Sequence, residues 1–282
     1  LASILPIATS RTNRFADDMT PTRTTRLIPA DPLWDPLERS FAGFARVARH
    51  ELGANDALTQ VTEKWFHAGL GAQRVLRGKV LVTERRDAQG SVFERSTTTW
   101  QIQVPEGLIA APFAGIAVAT TRNRSVTEGT NESVTLSTRW THNEQGDVIQ
   151  TRRLGRTDQI GDEQIVRQSY LYVTGEYHVW GLQSERSIHE LDDRLVSRSR
   201  YTYDGEMEPL PPGQATRGWL RRVEGWLESE QRWVVLSARD YDAVRNTIRS
   251  YKAGVWRSTD YDPTGTFPLA EHVEPQPGAR LT

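Results

Sequence analysis

The chain has 282 residues, with 35 basic against 36 acidic side chains, a net charge of -1, and no cysteine. That balance removes any general attraction to nucleic acid or anionic lipid, which needs a basic excess or a basic patch. The missing cysteines exclude disulfides, thiolate catalysis and cysteine-rich zinc sites, and the length admits one large all-β unit or two average domains.

The N-terminal Leu1-Ala2-Ser3-Ile4 has no initiator Met and no basic run, so it does not read as a signal peptide. The chain is expected to be a piece of a longer polypeptide. Residues 1–34 read as an irregular lead-in rich in Thr and Arg, with Pro21, Pro29 and Pro32. Leu37, Phe41, Phe44 and Val47 then fall at near-helical spacing, but Gly43 lies among them. An interior glycine costs a helix about 1 kcal/mol, so helix and strand both stay open here. The longest apolar stretch, Leu108 to Ala119, contains Pro112 and Gly115. It is too short and broken to span a bilayer, and no direct membrane insertion is expected.

Strand signals dominate the rest of the chain. Val134, Leu136, Thr138 and Trp140 alternate with Thr135, Ser137, Arg139 and Thr141, the period of a sheet with unlike faces. Tyr170 and Tyr172 begin a similar run, and Arg198, Arg200 and Thr202 alternate with Ser199, Tyr201 and Tyr203. Glu208 to Gln214 reads as a rigid turn, because adjacent Pro211 and Pro212 suit neither a helix nor a central strand. Trp219, Leu220, Val223, Trp226 and Leu227 again show helical spacing, with Thr216 as a cap and Gly225 inside, so this segment also admits either form.

One short pattern recurs. It appears as Asp87-Ala88-Gln89-Gly90, Asn143-Glu144-Gln145-Gly146, Asp242-Ala243-Val244-Arg245 and Asp262-Pro263-Thr264-Gly265, with Tyr241 and Tyr261 preceding the last two. An Asp or Asn at the first turn position bonds its own backbone two residues on, and Gly supplies the left-handed residue that returns the strand. Arg245 must fill that position with strain or with another turn. The tyrosine packs its ring along the strand while its hydroxyl reaches water or backbone.

These Tyr-Asp turns resemble the YD repeats of Rhs-type proteins. Four further blocks resemble the B subunit of bacterial Tc toxin complexes, and more distantly Salmonella plasmid virulence protein B. They are Glu38-Arg39-Ser40-Phe41-Ala42-Gly43-Phe44, Trp65-Phe66-His67-Ala68-Gly69, Arg77-Gly78-Lys79, and Tyr203-Asp204-Gly205 with Leu210-Pro211-Pro212-Gly213-Gln214-Ala215-Thr216-Arg217-Gly218. Tyr261-Asp262 followed by Phe267-Pro268 is similar to a further block, and all stand in the family's order between about residues 35 and 268. The resemblance implies that residues 35–282 are the middle of such a subunit, leading into an all-β, antiparallel YD-repeat shell. In that family the shell is secreted and encloses an unfolded toxic segment of the C subunit. The implied partners are the remainder of the B subunit, the C subunit with its encapsulated segment, and the A-subunit translocation channel. If that sheet holds, both helix-spaced segments become strands. A mean hydropathy of -0.58 suits a curled sheet wetted on both faces.

No catalytic residue, cofactor or metal site is expected. His50, His67, His142, His178, His189 and His272 show no ligand spacing, and His67 reads as a half-buried sheet histidine. Neither a nucleophile elbow nor a phosphate-binding loop is present. Asp17-Asp18, Asp192-Asp193 and Asp260/Asp262 read as turns or solvated surface. Two rival functions stay open. The Salmonella relative carries an ADP-ribosyltransferase, whose E-x-E pattern occurs here at Glu206-Met207-Glu208 and Glu228-Ser229-Glu230, with Ser96-Thr97-Thr98 as a loose second element. A carbohydrate-binding face would instead need a row of exposed Trp from among positions 100, 140, 180, 219, 226, 233 and 256.

Overall fold

The computed structural model describes residues 10–13, 23–104, 115–128, 132–159, 161–174, 178–205 and 208–274. Asp17-Asp18, Glu206-Met207 and most of the apolar stretch from residue 108 lie outside these. The described residues form an all-β, antiparallel chain with three short 3-10 turns and two compact units, Leu1–Gln164 and Ile165–Thr282.

The first unit is a meander of β1 (Ser10–Asn13), β2 (Arg23–Asp35), β3 (Ser40–Leu52), β4 (Leu58–Phe66), β5 (Val80–Asp87), β6 (Val92–Gln103), β7 (Ile116–Glu128), β8 (Glu132–His142) and β9 (Val148–Arg156). Each strand pairs antiparallel with the next. The second unit repeats the scheme with β10 (Gln164–Val173), β11 (Val179–His189), β12 (Leu195–Tyr203), β13 (Leu220–Leu227), β14 (Arg232–Tyr241), β15 (Thr247–Lys252), β16 (Val255–Tyr261) and β17 (Pro268–Glu274).

Both helix-spaced segments are strands. Residues 40–47 lie in β3, and Gly43 takes a φ of 111° that an α-helix does not use. Leu220 to Leu227 is β13, with Gly225 packed beneath the Leu236 side chain of β14. Part of the segment expected to be irregular is also strand. β2 pairs with β3 from Thr24 opposite Leu52 to Asp35 opposite Ser40, Pro29 and Pro32 included. Pairing along the whole of β3 here outweighs the local loop signal of two prolines.

Burial is thin and polar. Among the described residues the buried apolar side chains are Leu52, Leu76, Val118 and Val134 in the first unit, and Ile165, Val166, Tyr203 and Ala238 in the second. Beside them Asp35, Glu51, Glu63, Glu84 and Thr98 are buried in the first unit, and Ser187, Thr202, Asp204 and Arg221 in the second. Within each unit the main contacts run between successive strands, so most side chains remain half-buried. Such a sheet depends on ladder hydrogen bonds, cross-strand pairs and ionic contacts more than on an oily interior.

Candidate functional site

The repeated turns share one geometry. Asp87 Oδ1 accepts from the backbone N–H of Gln89 (3.0 Å) and Ser91 (2.8 Å), while Gly90 N–H donates to Asp87 O (3.1 Å). Asn143 repeats this with Gln145 (3.1 Å) and Asp147 (2.9 Å), and Gly146 closes the turn at 3.0 Å. Asp242 does the same with Val244 (3.0 Å) and Asn246 (2.8 Å). Asp262 reaches one residue further, accepting from Thr266 (2.7 Å) and Phe267 (2.8 Å). The Phe267 N–H, the Thr264 hydroxyl and the Thr266 N–H together hold the Asp262 carboxyl down at about 2. The left-handed position is Gly90, Gly146 and Gly265 in three turns and Arg245, at φ 78°, in the fourth.

A fifth turn of this kind lies at Asp192-Asp193, which read from the sequence as a turn or solvated surface but not as a copy of the repeat. Glu190 N–H donates to Arg194 O (2.9 Å), Asp193 N–H to Glu190 O (3.1 Å), and Asp193 sits at φ 73°. Glu stands where Asp is expected and Asp where Gly is expected. Asp tolerates the left-handed region better than most residues, which is the only cue the sequence offered.

The Tyr-Asp pairs add a second device. Tyr203 donates its hydroxyl to Gln183 O (2.6 Å), Tyr241 to Leu220 O (2.9 Å) and Tyr261 to Thr247 O (3.4 Å). Each acceptor lies on an earlier strand or at its first residue. Burial first, with the charge of Asp204 also contributing, pushes the Tyr203 hydroxyl up to about 12. Consecutive turns are also tied to each other. Asn246 Nδ2 donates to Asp242 Oδ2 (2.9 Å) within its own turn and to Gly265 O (2.7 Å) in the next.

Asp204 organises the longest loop of the second unit. Its Oδ2 accepts from the N–H groups of Thr216 (2.7 Å), Arg217 (3.0 Å) and Gly218 (3.0 Å), and its Oδ1 from Trp219 (2.9 Å). Its own N–H donates to Trp219 O (2.8 Å). Burial alone would raise this carboxyl, but the four backbone donors together hold it below its ordinary value. Pro211 to Gln214 closes a turn inside the loop, as the adjacent prolines predict. Beside it an open cleft of about 550 Å³ is lined by Asp204, Leu210, Arg217, Trp219, Arg221 and Tyr241, among others. Arg221 is buried there and pairs with Asp240 at 2.9 Å.

In the first unit, three blocks separated in sequence converge. Asp35, 2% exposed, accepts from the N–H groups of Leu37 (3.0 Å) and Glu38 (3.3 Å) and from the Arg77 guanidinium. Arg77 also donates to Glu38 (3.0 Å) and to Gly69 O (3.3 Å), and Arg74 pairs with Glu38. His67 joins through its backbone, donating to Lys79 O (2.9 Å) and accepting from Gly78 N–H (3.2 Å). Gly69 has φ 57°, and a Cβ there would lie 2.4 Å from the Arg77 Cα. The Trp-Phe-His-Ala-Gly sequence thus ends in glycine because the Arg77 backbone passes against it.

Among the described residues no group of three or more His, Asp or Glu could hold a metal, and no helix is long and apolar enough to cross a membrane. His67 is half-buried where β4 ends. His142 is lowered by burial, partly offset by Asp147. His189 bridges Ser187 (2.9 Å) and Asp193 O (3.1 Å), and His272 meets Asp260 at 2.9 Å. Glu228-Ser229-Glu230 is the tight turn between β13 and β14, where Trp226 donates to Glu228 (2.6 Å) and Arg232 to Glu230 (2.5 Å). Of the tryptophans at issue only Trp180 is well exposed, at 63%. Cations lie over the rings of Trp100 (Lys79), Trp140 (Arg122), Trp219 (Arg217), Trp233 (Arg200) and Trp256 (Arg249), on faces that a sugar would need.

The architecture is therefore that of a two-unit antiparallel meander punctuated by aspartate-capped turns. No family model and no curated protein matches the chain. Solved structures do match. One is the Photorhabdus luminescens Tc holotoxin pore carrying a TccC3 mutation, with TM-score 0.68 and 11% identity over 90% of this chain and 19% of that one. Another is TcdB2-TccC3 without its hypervariable C-terminal region, with TM-score 0.66 and 12% identity over 89% of this chain and 19% of that one. The complex TcdB2-TccC3-Cdc42 matches at TM-score 0.64 and 12% identity, over 89% and 20% respectively. The chain has the fold of a part of these Tc toxin proteins and spans about one fifth of their length.

Proposed function

We propose that the chain is a wall segment of the shell of a secreted bacterial toxin complex, and that its work is containment. The observation that carries this is the likeness of nine-tenths of the chain to part of the Tc toxin chains. Two features of the molecule support it. The blocks that resemble the B subunit form the structural ties of the fold, namely the Asp35–Arg77 contact, the Asp204 loop and the Tyr-Asp turns. The sheet is polar and half-buried along most of its length, as a wall facing water outside and an unfolded polypeptide inside requires.

On this reading the residues carry no chemistry. They hold a surface closed while the remainder of the B subunit and the C subunit complete it, and the A-subunit channel receives the contents. The test is protease protection. The complete polypeptide containing this chain is co-expressed with its C-subunit partner and treated with trypsin. The toxic segment should survive at protease levels that digest the same segment expressed alone. Digestion of both at one rate would remove the containment reading.

A further inference from the structure

One pair of like charges that face each other in the first unit is compensated by cations. Glu63 and Glu84 stand directly opposite on β4 and β5, an arrangement that destabilises a sheet. Arg46 (3.0 Å) and Arg86 (3.5 Å) meet Glu63, while Arg86 (2.5 Å) and Arg95 (3.5 Å) meet Glu84.

Strands β7 to β9 are different in composition. They carry Arg122, Arg124, Arg139, Arg152, Arg153 and Arg156, against only Glu128 at the end of β7 and Glu132 at the start of β8. Arg124 reaches Glu94 and Arg156 reaches Asp158. Arg122 lies 5.5 Å from the Trp140 ring centre, and Arg153 donates to Gln164 at 3.2 Å. Arg139 and Arg152 remain, and the register sets them directly opposite each other. Both are exposed, and neither has a carboxylate partner among the described residues. Arg152 meets only Gln150 there, at 3.1 Å.

The surroundings of the pair are neutral and polar. Thr121 stands opposite Arg139 on β7, Thr141 opposite Gln150, and Ser137 donates to Asn123 (2.8 Å) on the same face. Trp140 points to the other face by strand alternation. We propose that Arg139 and Arg152 form a docking point for an acidic segment of another polypeptide, with a carboxylate held between the two guanidinium groups. The planar fork of arginine matches the two oxygens of a carboxylate, and a bound anion removes the repulsion the strands otherwise carry. Nucleic acid fits less well, because it needs a longer basic track and stacking aromatics that the described residues around the pair do not offer.

The probe is a fluorescein-labelled hexaglutamate peptide, titrated by anisotropy against the 282-residue chain at low salt. Binding should weaken as salt rises, and R139Q or R152Q should each weaken it about tenfold. R152E is the discriminating variant, because it turns a repulsive pair into an ion pair. It should abolish peptide binding while raising the melting temperature by about 2 °C. No peptide binding by the parent chain, or binding unchanged in R152E, would overturn the proposal. Equal, arginine-dependent binding of a hexathymidylate would overturn the polypeptide assignment. The experiment is independent of protease protection, so either reading can fail alone.

Discussion

Replacing Asp204 with Ala should unfold the second unit more readily than any other single turn substitution. The side chain satisfies four backbone N–H groups, from Thr216 to Trp219, and is 5% exposed. A hydrogen bond to a charged acceptor is worth roughly 1.5–3 kcal/mol, so the nominal loss is roughly 6–12 kcal/mol. Thr216 and Arg217 lie at the surface, and water can reach their freed donors once the loop relaxes. The net expectation is therefore about 3–5 kcal/mol. Asp204→Asn keeps one oxygen for three donors but turns its amide towards the fourth, and should cost about 2 kcal/mol. Urea unfolding followed by tryptophan fluorescence measures both. The pH dependence supplies a second readout. The folded carboxyl lies below its ordinary value of 3.8, so its contribution is complete above that value and is lost as pH falls through the folded one. The stability gap between the parent and Asp204→Asn should therefore narrow from pH 5 towards pH 3. An Asp204→Ala variant within about 1 kcal/mol of the parent would refute the claim that this carboxylate holds the loop.

Gly69→Ala forces a Cβ to within 2.4 Å of the Arg77 backbone at a positive φ, and should cost at least about 2 kcal/mol, seen as a lowered melting temperature. Arg245→Gly should do the reverse. It relieves a left-handed arginine at φ 78° and should raise stability by about 0.5–1 kcal/mol in the same melt. The three tyrosine hydroxyls should rank by geometry. Tyr203→Phe loses a buried 2.6 Å bond and about 1–2 kcal/mol, Tyr241→Phe loses a 2.9 Å bond and about 1 kcal/mol, and Tyr261→Phe, at 3.4 Å, changes little. Equal effects for all three in urea titrations would show that ring packing, not the hydroxyl, holds these strands.

Much of the fold was legible because the turns carry their own chemistry. Asp87, Asn143, Asp242 and Asp262 cap their turns through contacts at most five residues away, a range over which sequence is informative. The alternation of residues 134–141 appears directly as β8. The ambiguity at residues 219–227 has a physical source. The ladder shifts register between Thr202 and Tyr203 on one side of β13 and between Val223 and Glu224 on the other. Such bulges break the two-residue period and leave apolar spacing that imitates a helix. The ties between distant segments could not be read at all. Nothing in the spacing of Asp35, Glu38, Gly69 and Arg77 says that they meet, because that depends on strands pairing first. The Arg139–Arg152 juxtaposition is likewise a matter of register, and a slip of one residue would separate the two charges.

The tyrosine hydroxyls that lead the three Tyr-Asp pairs of the second unit point backwards along the chain. Tyr203, Tyr241 and Tyr261 donate to carbonyls 20, 21 and 14 positions earlier. A strand therefore carries the means to lock onto what has already formed, and needs nothing downstream to do so. A polypeptide emerging from its N-terminal side could add such strands one at a time, as a ratchet advances, without leaving a long unpaired edge waiting for a distant mate. The same arrangement makes the number of hairpins free to drift over generations, since each new copy brings its own catch.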